Sequence, residues 1–237
     1  MSLYRQGFSL TTRTLDVSDV DDIDSAIEEA ASVLESGGLV VYPTDTCYGL
    51  ACDPTNETAL EKLIDVKQRD PDLGVPLLFS DYEQVKDYHN FGDLEHIIAR
   101  FFWPGALTLV VTAKKEIPEY VSGKRTTITV RVPDHVVPRG IAKELGGPIV
   151  GTSANRHGGE TPFDISVAQE QLGDDIDLYL DGGESEAGES STIVGVSGSD
   201  IKVYREGELS IEELSNSLKV DTDALRYWTA RIIHPEM

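Results

Sequence analysis

A chain of 237 residues with 42 acidic and 20 basic side chains has a formal charge of −22. That excess of acid argues against a protein that coats nucleic acid with a basic face. The two cysteines, Cys47 and Cys52, cannot build a disulfide framework or a zinc site, so both are expected to be reduced, either structural or lining a site, with no metal.

The hydrophobic share of 40%, with 21 Gly and 11 Pro, is that of a folded protein in water. Apolar runs such as Leu107-Thr108-Leu109-Val110-Val111 are far too short to span a bilayer. Met1-Ser2-Leu3-Tyr4-Arg5 lacks the apolar stretch of a signal peptide, and a cytoplasmic location is expected. The acids are spread along the chain, with local runs at 16–24 and 184–189, a pattern that suits a salty cytoplasm. In so acidic a chain, clustered cations stand out.

In chain order, residues 23–35 place Ile23, Ile27, Ala30, Ala31 and Leu34 at helical spacing, and Gly37-Gly38 stop the helix. Leu39-Val40-Val41 reads as a strand. It opens into Pro43-Thr44-Asp45-Thr46-Cys47-Tyr48-Gly49-Leu50, which is either a Pro-initiated turn or a ligand loop at a strand's carboxyl end. Residues 58–66 read as a second helix capped by Asn56, running into Lys67-Gln68-Arg69 and a loop over 70–74. Residues 75–79 read as a buried strand. Residues 94–102 read as an amphipathic helix with Leu94, Ile97, Ile98 and Phe101 on one face.

The β-branched runs 107–112 and 126–132 should pair across the one locally basic loop, 114–125. A helix over 136–145, a buried strand over 147–152 and a glycine-rich loop, Ser153 to Gly159, follow. A short helix over 166–172 precedes strands at 178–180, 191–194 and 201–204 and a helix at 211–218. Residues 221–237, with Tyr227, Trp228, Ile232 and Ile233, are expected to form a docked helix. Several neighbouring strands lack an intervening helix, which points to a mixed, twisted open α/β sheet with helices packed on it, in a single domain.

Several chemistries fail on inspection. There is no G-x-G-x-x-G fingerprint. The P-loop-like spacing at 183–190 puts Glu189 where a phosphate-binding lysine must stand, and Asn155 replaces the closing glycine of a nucleophile elbow. The five histidines show no metal spacing. What remains is a set of polar groups at strand and helix ends: Thr44 and Thr46; Lys67 and Arg69, which also suit a helix C-terminus; Arg131; Ser153, Asn155 and Thr161; Ser190 to Thr192; and Arg205. Together they offer cations and hydroxyls to a triphosphate without a Walker lysine. An extended backbone at Lys67-x-Arg69 would point both cations the same way.

These segments resemble the YrdC-like threonylcarbamoyl-AMP synthases. The resemblance rests on the 43–50 motif, Lys67-Gln68-Arg69, Pro76-Leu77, Trp103-Pro104-Gly105-Ala106-Leu107-Thr108, Val130-Arg131-Val132-Pro133-Asp134-His135, Thr152-Ser153-Ala154-Asn155, Ser191-Thr192-Ile193-Val194 and Tyr204-Arg205-Glu206-Gly207. The motifs stand in the family's order over about 20–210, and 211–237 would be a C-terminal helical extension of a single YrdC-like domain.

The resemblance implies a concave cationic cleft and condensation of L-threonine, bicarbonate and ATP to threonylcarbamoyl-AMP and pyrophosphate. The product would feed N6-threonylcarbamoyladenosine formation at tRNA position 37. Thr46, Arg131, Gly151 and Ser191 would hold threonine. Lys67, Arg69, Thr127, Ser153, Asn155, Thr161 and Arg205 would hold ATP, with Lys67 and Arg69 catalytic and Mg²⁺ bound through the phosphates. A downstream threonylcarbamoyl transferase complex would take the product, and direct tRNA binding would be weak or absent. Val75 and Ser80 replace an Asn and a His common in the family, and the loop from Arg69 to Pro76 is longer than usual. An RNA-binding module and a carbamoyltransferase module are the alternatives.

Overall fold

The computed structural model describes residues 12–18, 23–224 and 231–233. Helix α1 (Ile23–Glu35) buries Ala26, Ile27, Ala30, Ala31 and Leu34, the stripe its spacing dictates. Helix α2 (Glu57–Lys67) begins where Asn56 accepts a hydrogen bond from the Ala59 amide at 3.1 Å, the expected cap. The expected mixed α/β architecture is present, but its strands divide into two sheets.

One sheet has the order β1 (Arg13–Asp16), β9 (Leu178–Asp181), β2 (Val40–Tyr42), β3 (Gly49–Ala51) and β8 (Thr152–Ser153). β1 and β2 run parallel to β9, whereas β3 is antiparallel to both β2 and β8. The other sheet has the order β12 (Arg231–Ile233), β11 (Asp200–Arg205), β10 (Thr192–Ser197), β5 (Leu107–Thr112), β6 (Thr127–Arg131), β4 (Leu77–Leu78) and β7 (Ile149–Val150). As the β-branched runs suggest, β5 and β6 pair antiparallel, with Leu109 opposite Val130.

The remaining helices are α3 (Tyr82–Val85), α4 (Asp93–Phe102), α5 (Glu119–Ser122), α6 (Val136–Glu144), α7 (Ile165–Leu172) and α8 (Ile211–Ala224). Helices α1 and α6 share one apolar cluster, in which Ile27, Ala30 and Leu34 meet Val137, Ile141 and Ala142 over Val40 and Tyr42. A larger cluster joins α2 and α4 to β5 and β6.

Three expectations are corrected. The strand over 147–152 breaks at Gly151: β7 belongs to one sheet and β8 to the other. The Gly151 amide donates to the Pro76 carbonyl and the Val150 amide to that of Cys52, so the chain crosses between sheets there. A Cβ at Gly151 would stand 2.2 Å from Leu78 Cγ, which only a bare residue allows. In α4, Leu94 and Ile98 are buried but Phe101 is 48% exposed, because Ala99 rather than Phe101 completes the buried face. The C-terminal extension is not helical throughout: α8 covers Ile211–Ala224, and Ile232 and Ile233 lie in β12, parallel to β11. Tyr227 and Trp228 lie outside the described residues.

Candidate functional site

β2 and β3 form a hairpin, with Tyr42 opposite Gly49, and the motif that begins at Pro43 is its loop. The Thr44 hydroxyl accepts from the Thr46 amide at 3.0 Å and donates to the Cys47 carbonyl at 2.7 Å. Thr44 thus closes the turn with its single proton, as Ser and Thr do in such loops. Thr46 is free for another task, its Oγ1 lying 3.1 Å from that of Thr44 and accepting from Arg131 Nη1 at 3.0 Å. Gly49 is required because Tyr42 Cζ lies 2.5 Å from where a Cβ would be.

Arg131, at the end of β6, is buried and held at three points. Its Nε donates to the Gly105 carbonyl at 2.9 Å and its Nη2 to Asp45 Oδ1 at 2.6 Å, besides the bond to Thr46. Three of its five N–H groups are engaged, so the guanidinium is fixed in place with donors to spare. Asp45, which sequence reasoning reads as part of the turn, is its counter-charge.

The sheet of β10 and β11 supplies another side. Arg205 donates through Nε and Nη2 to the Ser191 carbonyl at 3.0 and 2.7 Å, and Nη2 also reaches Ser191 Oγ at 3.2 Å. Ser191 Oγ lies 2.9 Å from Thr108 Oγ1. Cys47 Sγ is 3.9 Å from Ser190 Oγ, and burial pushes the Cys47 thiol pKa up, opposed by the hydrogen bond to Ser190 and the nearby cations. The thiol therefore stays protonated.

The end of α2 does not behave as the sequence suggests. Gln68 takes the left-handed conformation (φ 51°) as the helix C-cap, and the two cations diverge. Lys67 is 1% exposed, and its ammonium donates to the carbonyls of Ser153 and Asn155 at 2.5 and 2.6 Å. Burial first, then the neighbouring Arg69 charge, lowers its pKa to about 7. Arg69, half-buried, donates through Nε to the Gly74 carbonyl at 3.1 Å.

One cavity of about 170 Å³ collects these groups. Among the polar groups named from the sequence, Thr44, Thr46, Arg69, Arg131, Ser153, Ser190, Ser191 and Arg205 line it, as does Gly151. Its lining contains three arginines and no acid. Lys67, Thr127, Asn155 and Thr161 do not line it. Asn155 accepts from Ser153 Oγ at 2.7 Å and donates to the Gly159 carbonyl at 2.8 Å, holding its own loop. Thr127 begins β6 and stands about 13 Å along that strand from Arg131. Val75 and Ser80 lie outside the cavity, Ser80 bonding to Asp81 and Gln84 at the start of α3. Tyr42 and Leu78 line it without being named from the sequence, and Thr108, Tyr48 and Ile193 are named only within motifs, with no role at a site. They read as core residues, and only pairing across distant segments turns them toward a site.

A family model for Sua5/YciO/YrdC proteins, described as telomere recombination, matches residues 32–207. A Mycobacterium tuberculosis (strain H37Rv) relative is 34% identical over 215 residues, covering 90% of this chain and 99% of its own. The threonylcarbamoyl-AMP synthase of Vibrio vulnificus (strain YJ016) is 37% identical over 161 residues, covering 67% of this chain and 87% of its own. Among solved structures, P. abyssi Sua5 complexed with L-threonine superposes with a TM-score of 0.82 at 26% identity. That match covers 94% of this chain and 62% of the Sua5 chain, so the present chain spans a little under two thirds of that protein. E. coli YciO gives a TM-score of 0.73 at 25% identity, covering 83% of this chain and 95% of its own.

Proposed function

The chain belongs to the Sua5/YciO/YrdC family, and from that membership we propose that it is an L-threonylcarbamoyladenylate synthase. The reaction condenses L-threonine, bicarbonate and ATP to threonylcarbamoyl-AMP and pyrophosphate, for N6-threonylcarbamoyladenosine in tRNA. The observation that carries the reading is the meeting of Thr46, Arg131 and Ser191 with Arg69, Arg205 and Ser153 around one cavity whose lining has no acid. The relatives named as synthases do not favour the RNA-binding or carbamoyltransferase alternatives.

Threonine, the ligand of P. abyssi Sua5, would lie against Thr46, Arg131, Ser191 and the backbone at Gly151. A fixed arginine with spare donors suits its carboxylate. The α-amino nitrogen attacks bicarbonate with loss of water to give a carbamate, whose oxygen attacks the α-phosphorus as pyrophosphate leaves. This displacement needs no covalent enzyme nucleophile, and the protonated Cys47 thiol offers none. Catalysis reduces to positioning and to neutralising charge on the phosphates by Arg69 and Arg205, with Ser153 as a hydrogen-bonding partner. Thr127 and Thr161 would meet only a nucleotide that extends beyond the cavity.

Mg²⁺ would accompany the ATP phosphates. Among the described residues no group of three or more His, Cys, Asp or Glu is placed to hold a metal ion, so the residues present do not fit a protein-held Mg²⁺. The working unit is one YrdC-like domain in the cytoplasm, handing its product to a threonylcarbamoyl transferase complex and binding tRNA weakly if at all. No described helix is long and apolar enough to cross a membrane. The test is incorporation of labelled bicarbonate. Label should enter an adenylate only when L-threonine and ATP are both present; label entering without threonine contradicts the reading.

A further inference from the structure

Lys67 does not line the cavity, yet among the described residues it is the most deeply buried cation, 1% exposed. Every side-chain hydrogen bond it makes goes to one segment, Ser153 to Asn155. Its ammonium donates to the Ser153 and Asn155 carbonyls and lies 3.5 Å from Asn155 Oδ1. Its own carbonyl accepts from the His157 amide at 2.7 Å. Asn155 in turn accepts from Ser153 Oγ and donates to the Gly159 carbonyl. The loop leaves β8 just after the crossing between sheets, and its Ser153 lines the cavity. Without Lys67, two carbonyls turned inward would have no donor, an arrangement that folded proteins avoid.

We propose that Lys67 is a positioning residue for ATP: it holds the 153–159 loop from behind, so that Ser153 is presented to the phosphates while Arg69 alone of the pair meets them. This rests on the synthase reading and deepens it. The left-handed Gln68 is what separates the two roles, with Lys67 bonded to the loop and Arg69 lining the cavity within three residues.

The test combines a double-mutant cycle on ATP affinity with hydrogen exchange of the ligand-free protein. Lys67→Met should weaken ATP binding by about tenfold or more. It should leave L-threonine affinity unchanged and speed exchange in 153–159 alone. Because Lys67 acts through the loop, Lys67→Met should cost much less in a Ser153→Ala background than in the native one. Additive losses with an unchanged exchange pattern would mean that Lys67 touches the nucleotide directly, and would overturn the proposal. Loss of protection throughout the molecule would also overturn it, by showing a role in folding alone. If Ser153→Ala leaves ATP affinity intact, the ATP assignment of this loop fails, while the exchange data still report on whether Lys67 holds it.

Discussion

At the residue scale the site depends on side chains that hold other side chains. Arg131 is usable because Asp45, Thr46 and the Gly105 carbonyl fix its plane. Asp45→Asn keeps the shape but leaves the buried guanidinium without a counter-charge. Breaking a buried pair from one side costs about 3 kcal/mol. Urea unfolding should show a loss of that order, and an unchanged midpoint would mean that water already solvates Arg131. The two ends of the cavity should separate by mutation. Thr46→Ala removes a hydroxyl that accepts from Arg131, and should weaken L-threonine binding by about tenfold while ATP binding is kept. Arg69→Ala should abolish pyrophosphate release without unfolding the protein. Calorimetric titration of each ligand checks both variants, and the reverse pattern of affinities would exchange the assignments.

At the element scale, α4 carries a titratable staple. His89 Nδ1 lies 2.8 Å from the Thr112 carbonyl and Nε2 lies 2.9 Å from Glu95 Oε2, which also accepts from the Gly92 amide. Both partners of an ionised pair are acceptors, so both ring nitrogens carry protons and His89 is an imidazolium. Burial opposes that charge, but the bonds to Glu95 and Thr112 outweigh it and raise the His89 pKa. Glu95 is pulled down on balance: burial raises its pKa, and the bonds from His89 and Gly92 prevail. A raised histidine contributes stability below its unfolded pKa and loses it as pH rises through the folded value. The lowered Glu95 contributes above its unfolded pKa and loses it as pH falls through its folded value. The pair should therefore stabilise most between the two unfolded values, about pH 4.5 to 6.5. Melting temperature measured against pH should show the gap between the native protein and His89→Gln narrowing on the alkaline side. A constant gap would show a neutral histidine.

The same scale shows what the sequence made legible. Helices α1 and α2 and the β5–β6 pair follow from local spacing, a cap and β-branched runs, information that lies within each segment. The break at Gly151 depends on Leu78, Pro76 and Cys52, all far away in the chain. The divergence of Lys67 and Arg69 depends on a left-handed Gln68, which residue type does not announce. Asp45 reads as a turn residue until Arg131, 86 positions on, is seen to reach it. The residues around the cavity could be named because a motif series marks them. What each does there is decided by packing between segments.

At the scale of the whole molecule, a chain of charge −22 places three arginines around one cavity at the junction of two sheets. A negative charge of this size opposes contact with polyanions, while the local cations favour a small anion. This arrangement suits an enzyme that takes a nucleoside triphosphate and releases a small adenylate. The most direct measurement is pyrophosphate release with ATP, bicarbonate and L-threonine each omitted in turn. The account predicts release only in the complete mixture. Release that persists without L-threonine, or none with all three present, would contradict it.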